Sequence, residues 1–346
     1  MNPAAVALNQ HGLELGNRGR FAEALAAFDK ALELEPSFAL ARNNQGWTLG
    51  SLGRFAEALV AVNQALELDP TLVLAWSNKG WVHYNLRQWD EALTAFDRAL
   101  AIEKTHALAW KNKFNLLQQL GRNPEAADTA FVVGNALVEQ DQFVEALEAY
   151  QATLQLAPNH NAAWNNQGWS HDNLKQWDEA LTAYDHALEL NPTYSHAWRN
   201  KVDLLCRLGR SVDAAVTASA VGYALDEQGK YAEALEAYQR ALELNPNHAP
   251  AWNNKGWVHE NLKQWDEALA AYDHALELNP TYSHAWRNKV DLLRRLGRAT
   301  EAAITAVTAS HHLYQQDQYT EALEACEQAL QLDPRNAMAW NNKGVC

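Results

Sequence analysis

Sulfur is scarce in this chain, with 3 Cys and 2 Met among 346 residues. Cys206, Cys326 and Cys346 form an odd set with no close pair in sequence. A disulfide framework is therefore excluded, and a reducing, cytoplasmic setting is expected. Glycine and proline number only 16 and 10, which excludes collagen-like and linker-dominated chains. No apolar run approaches the roughly 20 residues that cross a bilayer. The opening MNPAAVALNQHG lacks a basic flank and a long apolar stretch, so no signal peptide is expected. Basic residues are outnumbered, 28 Lys and Arg against 42 Asp and Glu, for a formal net charge of −14. Clustered cations are what hold phosphate backbones and anionic lipid surfaces, so neither nucleic acid nor a membrane is an expected partner. What is present is a normal apolar fraction of 48%, which argues for a folded chain, and an excess of Trp, 14 against 8 Phe.

The chain repeats itself. FAEALAAFDKALELEP (21–36), FAEALVAVNQALELDP (55–70) and WDEALTAFDRALAIEK (89–104) recur 34 residues apart, and further copies begin at Phe143, Trp177, Tyr231, Trp265 and Tyr319. Each follows a second recurring segment, such as ALARNNQGWTLGSLGR (39–54) or LAWSNKGWVHYNLRQ (74–88). Apolar and small residues fall on one face of a 3.6-residue period in both, so each unit reads as two amphipathic helices. The L-E-L-[DEN]-P stretches end the second helix, because proline lacks the N–H that would continue it and restricts the residue before it.

The pattern resembles the tetratricopeptide repeat (TPR) family, whose unit is a 34-residue helix–turn–helix. Trp76, Gly80, Ala92, Phe96 and Ala99 carry the resemblance in one unit, and Trp252, Gly256, Ala268, Tyr272, Ala275 and Pro280 carry it in another. It implies an all-α solenoid of antiparallel helix pairs. In this register the full units are 5–38, 39–72, 73–106, 127–160, 161–194, 215–248, 249–282 and 303–336. Short units, 107–126, 195–214 and 283–302, interrupt them, and an incomplete unit occupies 337–346. Trp76, Trp164, Trp252 and Trp340 are thus 88 residues apart, two full units and one of 20 residues. The missing 14 residues amount to almost four helical turns, so helical phase is nearly kept. Pro124–Gln140, Val212–Gln228 and Thr300–Gln316 are each expected to form one helix shared by the short unit and the next; a kink inside each is the alternative. Five helices per 88-residue super-repeat would invert the up–down alternation at every junction, forcing a bend or a change of exposed face.

The tryptophans fall into three positions. Trp76, Trp110, Trp164, Trp198, Trp252, Trp286 and Trp340 sit near the start of first helices, where the neighbouring helix would cover them; Arg42 fills the slot once. Trp89, Trp177 and Trp265 open second helices, in a slot that Phe21, Phe55, Phe143, Tyr231 and Tyr319 also fill, which again reads as packing. Trp47, Trp81, Trp169 and Trp257 follow glycine in N-[QK]-G-W, on the face that lines the inner groove in the family. They read either as partner contacts or as wedges between helices.

An asparagine column, Asn44, Asn78, Asn112, Asn166, Asn200, Asn254, Asn288 and Asn342, holds one place in successive first helices. Val132, Ala220 and Thr308 interrupt it in the junction helices. A carboxamide both donates and accepts, so it pairs with a peptide bond without reading the side chain. The column is similar to the ladder of the O-linked N-acetylglucosamine transferases, which implies a grip on an extended peptide backbone. Local bonding within the solenoid is the rival reading. The residue before it is Asn43, Asn165, Asn253, Asn341 or Ser77, and basic in Lys111, Arg199 and Arg287, with His196 and His284 nearby. These basic residues resemble part of the clamp by which cochaperone TPRs hold acidic C-termini; the full clamp pattern is missing.

No nucleotide, hydrolase or metalloprotease motif occurs, and most of the 13 His recur singly with the repeat, so no enzyme, metal or cofactor is expected. The expected function is a protein-interaction scaffold that binds an extended peptide. The alternative is a self-associating module, pairing through open solenoid ends or junction helices, since the sequence stops at AWNNKGVC inside a first helix and suggests a fragment of a longer protein.

Overall fold

The helix ends follow from local chemistry. The turn from first to second helix reverses through a residue of positive φ, the left-handed conformation that lets the last helical carbonyls find donors. Glycine fills it at Gly19 and Gly53, whereas Arg87, Lys175 and Lys263 adopt φ of 60° without glycine's freedom. After Gly19, the Arg20 N–H returns to the Leu15 carbonyl at 2.9 Å and closes the helix end. Second helices end on an extended residue, Glu35 before Pro36 or Asp69 before Pro70, as the proline rule requires.

The computed structural model describes residues 2–346, and no strand occurs among them. The chain divides into two compact units, Met1–Ala180 and Leu181–Cys346. The first holds α1 (Pro3–Asn17), α2 (Phe21–Leu34), α3 (Ala39–Ser51), α4 (Phe55–Leu68), α5 (Val73–Asn85), α6 (Trp89–Ile102), α7 (Ala107–Gln119), α8 (Asn123–Val138), α9 (Phe143–Leu156) and α10 (Asn161–Asn173). The division falls within α11 (Trp177–Leu190). The second unit continues with α12 (Ser195–Arg207), α13 (Ser211–Glu227), α14 (Tyr231–Leu244), α15 (Ala249–Asn261), α16 (Trp265–Leu278), α17 (Ser283–Arg295), α18 (Ala299–Gln315), α19 (Tyr319–Leu332) and α20 (Ala337–Val345).

Within a pair, a glycine of the first helix receives an aromatic ring of the second. A methyl group on Gly80 would stand 2.5 Å from the fully buried Phe96 ring, and Gly134 and Gly256 serve Tyr150 and Tyr272 in the same way. Alanines such as Ala92 and Ala99 let the helices approach, and each buried ring contributes roughly 1.5–3 kcal/mol. In the short units that glycine becomes Phe114, Val202 or Val290.

α8, α13 and α18 are single uninterrupted helices. In the first unit α8 packs against both α7 and α9, and more extensively against α9. α13 and α18 do the same between their neighbours in the second. Along α5 to α7, first helices lie side by side; from α8 to α10 they do so again. Between these stretches the first helix α7 reaches the second helix α9 through the Lys111–Glu148 ion pair at 2.6 Å.

Candidate functional site

The asparagine amides are occupied by one another. Asn44 donates to Asn9 at 2.9 Å, Asn43 donates to Asn44, and Asn78 donates to Asn43 at 2.9 Å, forming a relay from α1 through α3 to α5. Beyond the junction, Asn165 donates to Asn166 at 2.9 Å and Asn166 to Asn135 at 2.8 Å. Asn135 also accepts from the Tyr150 hydroxyl at 2.8 Å. In the second unit Asn253 donates to Asn254 and Asn288 to Asn253 at 3.1 Å, while Asn342 donates to Ser310 at 2.9 Å. Side-chain bonding between helices thus engages Asn44, Asn78, Asn166, Asn288 and Asn342 of the column. Asn44 and Asn342 are buried; Asn78, Asn112, Asn166, Asn200, Asn254 and Asn288 keep partial solvent access.

The four N-[QK]-G-W tryptophans divide evenly. Trp47 and Trp81 are half-buried wedges. Trp47 lies so close to Gly16 that a methyl group there would stand 2.7 Å from the ring, and it meets Phe21 edge-on at 5.9 Å. Trp81 stands likewise against Gly50 and Phe55. Trp169 and Trp257 are each 42% exposed. The residue 31 positions earlier, glycine for the first two, is Val138 and Asp226 for these. Neither residue offers the bare Cα surface that Gly16 and Gly50 present to an indole.

The tryptophans that open first helices also differ among themselves. Trp110, Trp198 and Trp286 are buried in the short units, as packing required. Trp76, Trp164 and Trp252 are half-buried and donate their indole N–H to the carbonyls of Pro70, Pro158 and Pro246 at 2.8–2.9 Å. Trp340 makes the same bond to Pro334 but is 56% exposed, so the expectation of a core residue fails there: the described helices leave one side of the ring open. Trp177 is exposed as well, whereas Trp89 and Trp265 are half-buried.

Lys111, Arg199 and Arg287 lie over the rings of Trp110, Trp198 and Trp286, with 5.2–5.5 Å to the ring centroids. Their charged ends pair with Glu148, Glu236 and Glu324 at 2.6–2.7 Å. Each basic residue clasps the second helix beyond the junction, so the positive charge that would hold an acidic tail already has a carboxylate partner within the chain. His196 and His284 are exposed against Tyr194 and Tyr282.

Burial pushes the Tyr150, Tyr238 and Tyr272 hydroxyls well above the ordinary phenol range; for Tyr272 the adjacent Glu260 carboxylate adds to it. Glu260 is buried, accepts from Tyr272 at 3.0 Å and pairs with Arg295. No three His, Cys, Asp or Glu side chains among the described residues converge as a metal cage. No described helix is long and apolar enough to cross a membrane.

One feature escaped the reading of the sequence. Val212, Val216, Ala220 and Tyr223 form an exposed apolar stripe along α13. The signal was present in the register, where Tyr223 stands at the position of Asn135 and His311.

Profiles described as tetratricopeptide repeat match residues 9–73, 73–106, 132–195, 165–221, 219–283 and 262–310, and one described as TPR repeat matches 311–345. The chain belongs to the tetratricopeptide repeat family. Comparison with curated proteins brings no match. Among solved structures, it is similar to the first TPR of Spaghetti (RPAP3) bound to the HSP90 peptide SRMEEVD, at 24% identity over 34% of this chain and 94% of that one, TM-score 0.33. The TPR2AB–pHSP90 complex of yeast Sti1 matches at 20% identity over 69% and 98%, TM-score 0.32. The P58(IPK) TPR domain matches at 14% over 99% and 96%, TM-score 0.30. As a TPR protein, the chain is an α-solenoid of the protein–protein interaction class.

Proposed function

We propose that this TPR protein is a scaffold whose first-helix faces bind extended segments of partner proteins. The observation that carries the reading is the exposure of Trp169 and Trp257, two large rings that open to solvent where their register mates are wedged between helices. Exposed tryptophans flanked by amides are the composition of binding hot spots. The asparagine column takes part with its spare capacity. A carboxamide has two N–H groups and two acceptor lone pairs, and a single helix-to-helix bond leaves the others free for a peptide backbone. Asn78, Asn112, Asn166, Asn254 and Asn288 keep the access this needs; Asn44 is buried in the relay and Asn342 against Ser310. Trp47 and Trp81 shape the groove, and Lys111, Arg199 and Arg287 hold its edges by their clasps.

The test is a Trp169→Ala/Trp257→Ala variant titrated with peptides selected on the wild type. Affinity should fall more than about tenfold, from a loss of roughly 2 kcal/mol at a hot spot. Equal affinity in the variant, with its fold intact by circular dichroism, would sink the reading.

A further inference from the structure

Three observations meet at the face formed by α13 and α15. The first is apolar: Val216 is 52% exposed, Tyr223 is 55% exposed, and the exposed Trp257 holds the same register position on α15 as Tyr223 on α13. The two helices touch. At the offset of 31 residues that sets Trp47 against Gly16 and Trp81 against Gly50, the residue corresponding to Trp257 is Asp226.

The second is charge. Asp226 and Glu227 end α13, one turn beyond Tyr223, and neither has a hydrogen-bond or ion-pair partner on its side chain among the described residues. Arg287 is matched with Glu324, Arg294 with Asp291 and Arg295 with Glu260, while Lys255 on α15 lies over the Trp252 ring and donates to Gln239. Asp226 is half-buried, and burial together with Glu227 raises its pKa.

The third is an orphaned group beneath them. Tyr238 is fully buried, and its hydroxyl makes no hydrogen bond of normal geometry, although Asn254 lies near. Its counterpart Tyr150 donates to Asn135, but Tyr223 stands at that position here and offers no acceptor at the same place. Asp226, Glu227 and Tyr223 all act electrostatically on this hydroxyl and raise its pKa further.

We propose that the α13–α15 face binds a basic, apolar segment of a partner protein, with Tyr223, Trp257 and Val216 receiving an apolar side chain and Asp226 and Glu227 receiving a Lys or Arg. A cation there gains two carboxylates and the faces of two aromatic rings, while an acidic segment meets uncompensated negative charge. The proposal rests on the scaffold reading above and gives it a sign. The occupant is not a second copy of this chain, because a chain of net charge −14 brings more negative charge to an already acidic patch.

The experiment is a random peptide library displayed on phage, panned against the intact protein, the Asp226→Asn/Glu227→Gln variant and the Asp226→Lys/Glu227→Lys variant. Wild type should enrich peptides with Lys or Arg next to an apolar residue. A synthetic peptide from that set should bind about fivefold more tightly than its Lys-to-Gln version at low salt, with the difference shrinking at high salt. The neutral variant, which changes no shape, should lose the preference, and the lysine variant should reverse it. Peptides enriched without charge bias, or with acidic residues, overturn this proposal and leave the scaffold reading standing. No enrichment from any version overturns both. A dimer in sedimentation runs that Tyr223→Lys abolishes, with no peptide selected, assigns the face to self-association and likewise overturns the proposal.

Discussion

Trp47 and Trp169 share a register position and differ in what stands opposite. Gly16 leaves a hollow for the first indole, whereas the corresponding residue for the second is Val138. The repeat made the tryptophans legible as candidates, yet their division into wedges and open rings depended on a residue 31 positions away on another helix. The same holds for the amides. The column was readable at fixed spacing, but its bonds run between neighbouring first helices, Asn78 to Asn43 and Asn288 to Asn253, and no pattern along one helix reveals them. Replacing Asn43 with Ala removes both an acceptor for Asn78 and a donor to Asn44, so we expect a loss of about 1–3 kcal/mol in urea unfolding. A midpoint equal to wild type would show the relay carries no stability. Asp226 makes a pH-dependent prediction. Its folded-state pKa is raised, chiefly by burial and then by Glu227, so the native state holds its proton more tightly than the unfolded chain. The associated stability is present below the unfolded carboxylate pKa and is lost as pH rises through the folded one. Asp226→Asn should therefore melt above wild type at pH 7 and level with it near about pH 3. An unchanged gap across that range would contradict the assignment.

Helices are where sequence logic works best, because start and stop signals are local. Pro36 and Pro70 follow the ends of α2 and α4, and the 3.6-residue apolar period places Ala24, Phe28, Ala31 and Leu32 inside. The turns are less uniform. Arg87, Lys175 and Lys263 hold φ of 60°, a conformation that costs a side-chain-bearing residue roughly 1–2 kcal/mol. Lys263→Gly should relieve most of that strain and offset the greater entropy of glycine in the unfolded chain, for a net gain of about 0.5–1 kcal/mol. Scanning calorimetry checks this, and a lowered melting temperature would count against strain at the turn. Gly80 runs the other way. Alanine favours a helix by about 1 kcal/mol, but its methyl group would press the buried Phe96 ring, and overpacking costs about 1–3 kcal/mol. With a rigid ring 2.5 Å away, the clash should win, and Gly80→Ala should destabilise by roughly 1–2 kcal/mol.

Across the chain, stability is a sum of local terms, since each helix of a solenoid meets only its near neighbours. In the first unit a single cluster joins Ala92 and Phe96 of α6 with Trp110, Leu116 and Leu117 of α7, Val133 of α8 and Tyr150 of α9. A separate one in the second unit runs from Ala268 on α16 to Ala339 on α20. Leu116→Ala, which empties a fully buried site at a cost of about 2–5 kcal/mol, should strip hydrogen-exchange protection from α7–α9 while α16–α19 stay protected. Uniform loss over both sets would mean that the chain unfolds as one cooperative body. The surface clasps add less: Lys111–Glu148 and its two counterparts are substantially solvated, where ion pairs contribute about 0–1 kcal/mol.

Repetition along the chain sufficed to establish the helices, their pairing and the family, because period, proline stops and glycine–aromatic contacts all act within a few tens of residues. The partners of the side chains were settled in space. Lys111, Arg199 and Arg287 look like a half-formed clamp in sequence and are clasped by glutamates 37 residues on. Asp226 and Glu227 look like two more acids among 42 and stand unpaired at the end of α13, which also carries the exposed Tyr223. A helix pattern records which residues share a face; whether that face is covered, and by what charge, depends on the neighbouring helix that packs against it.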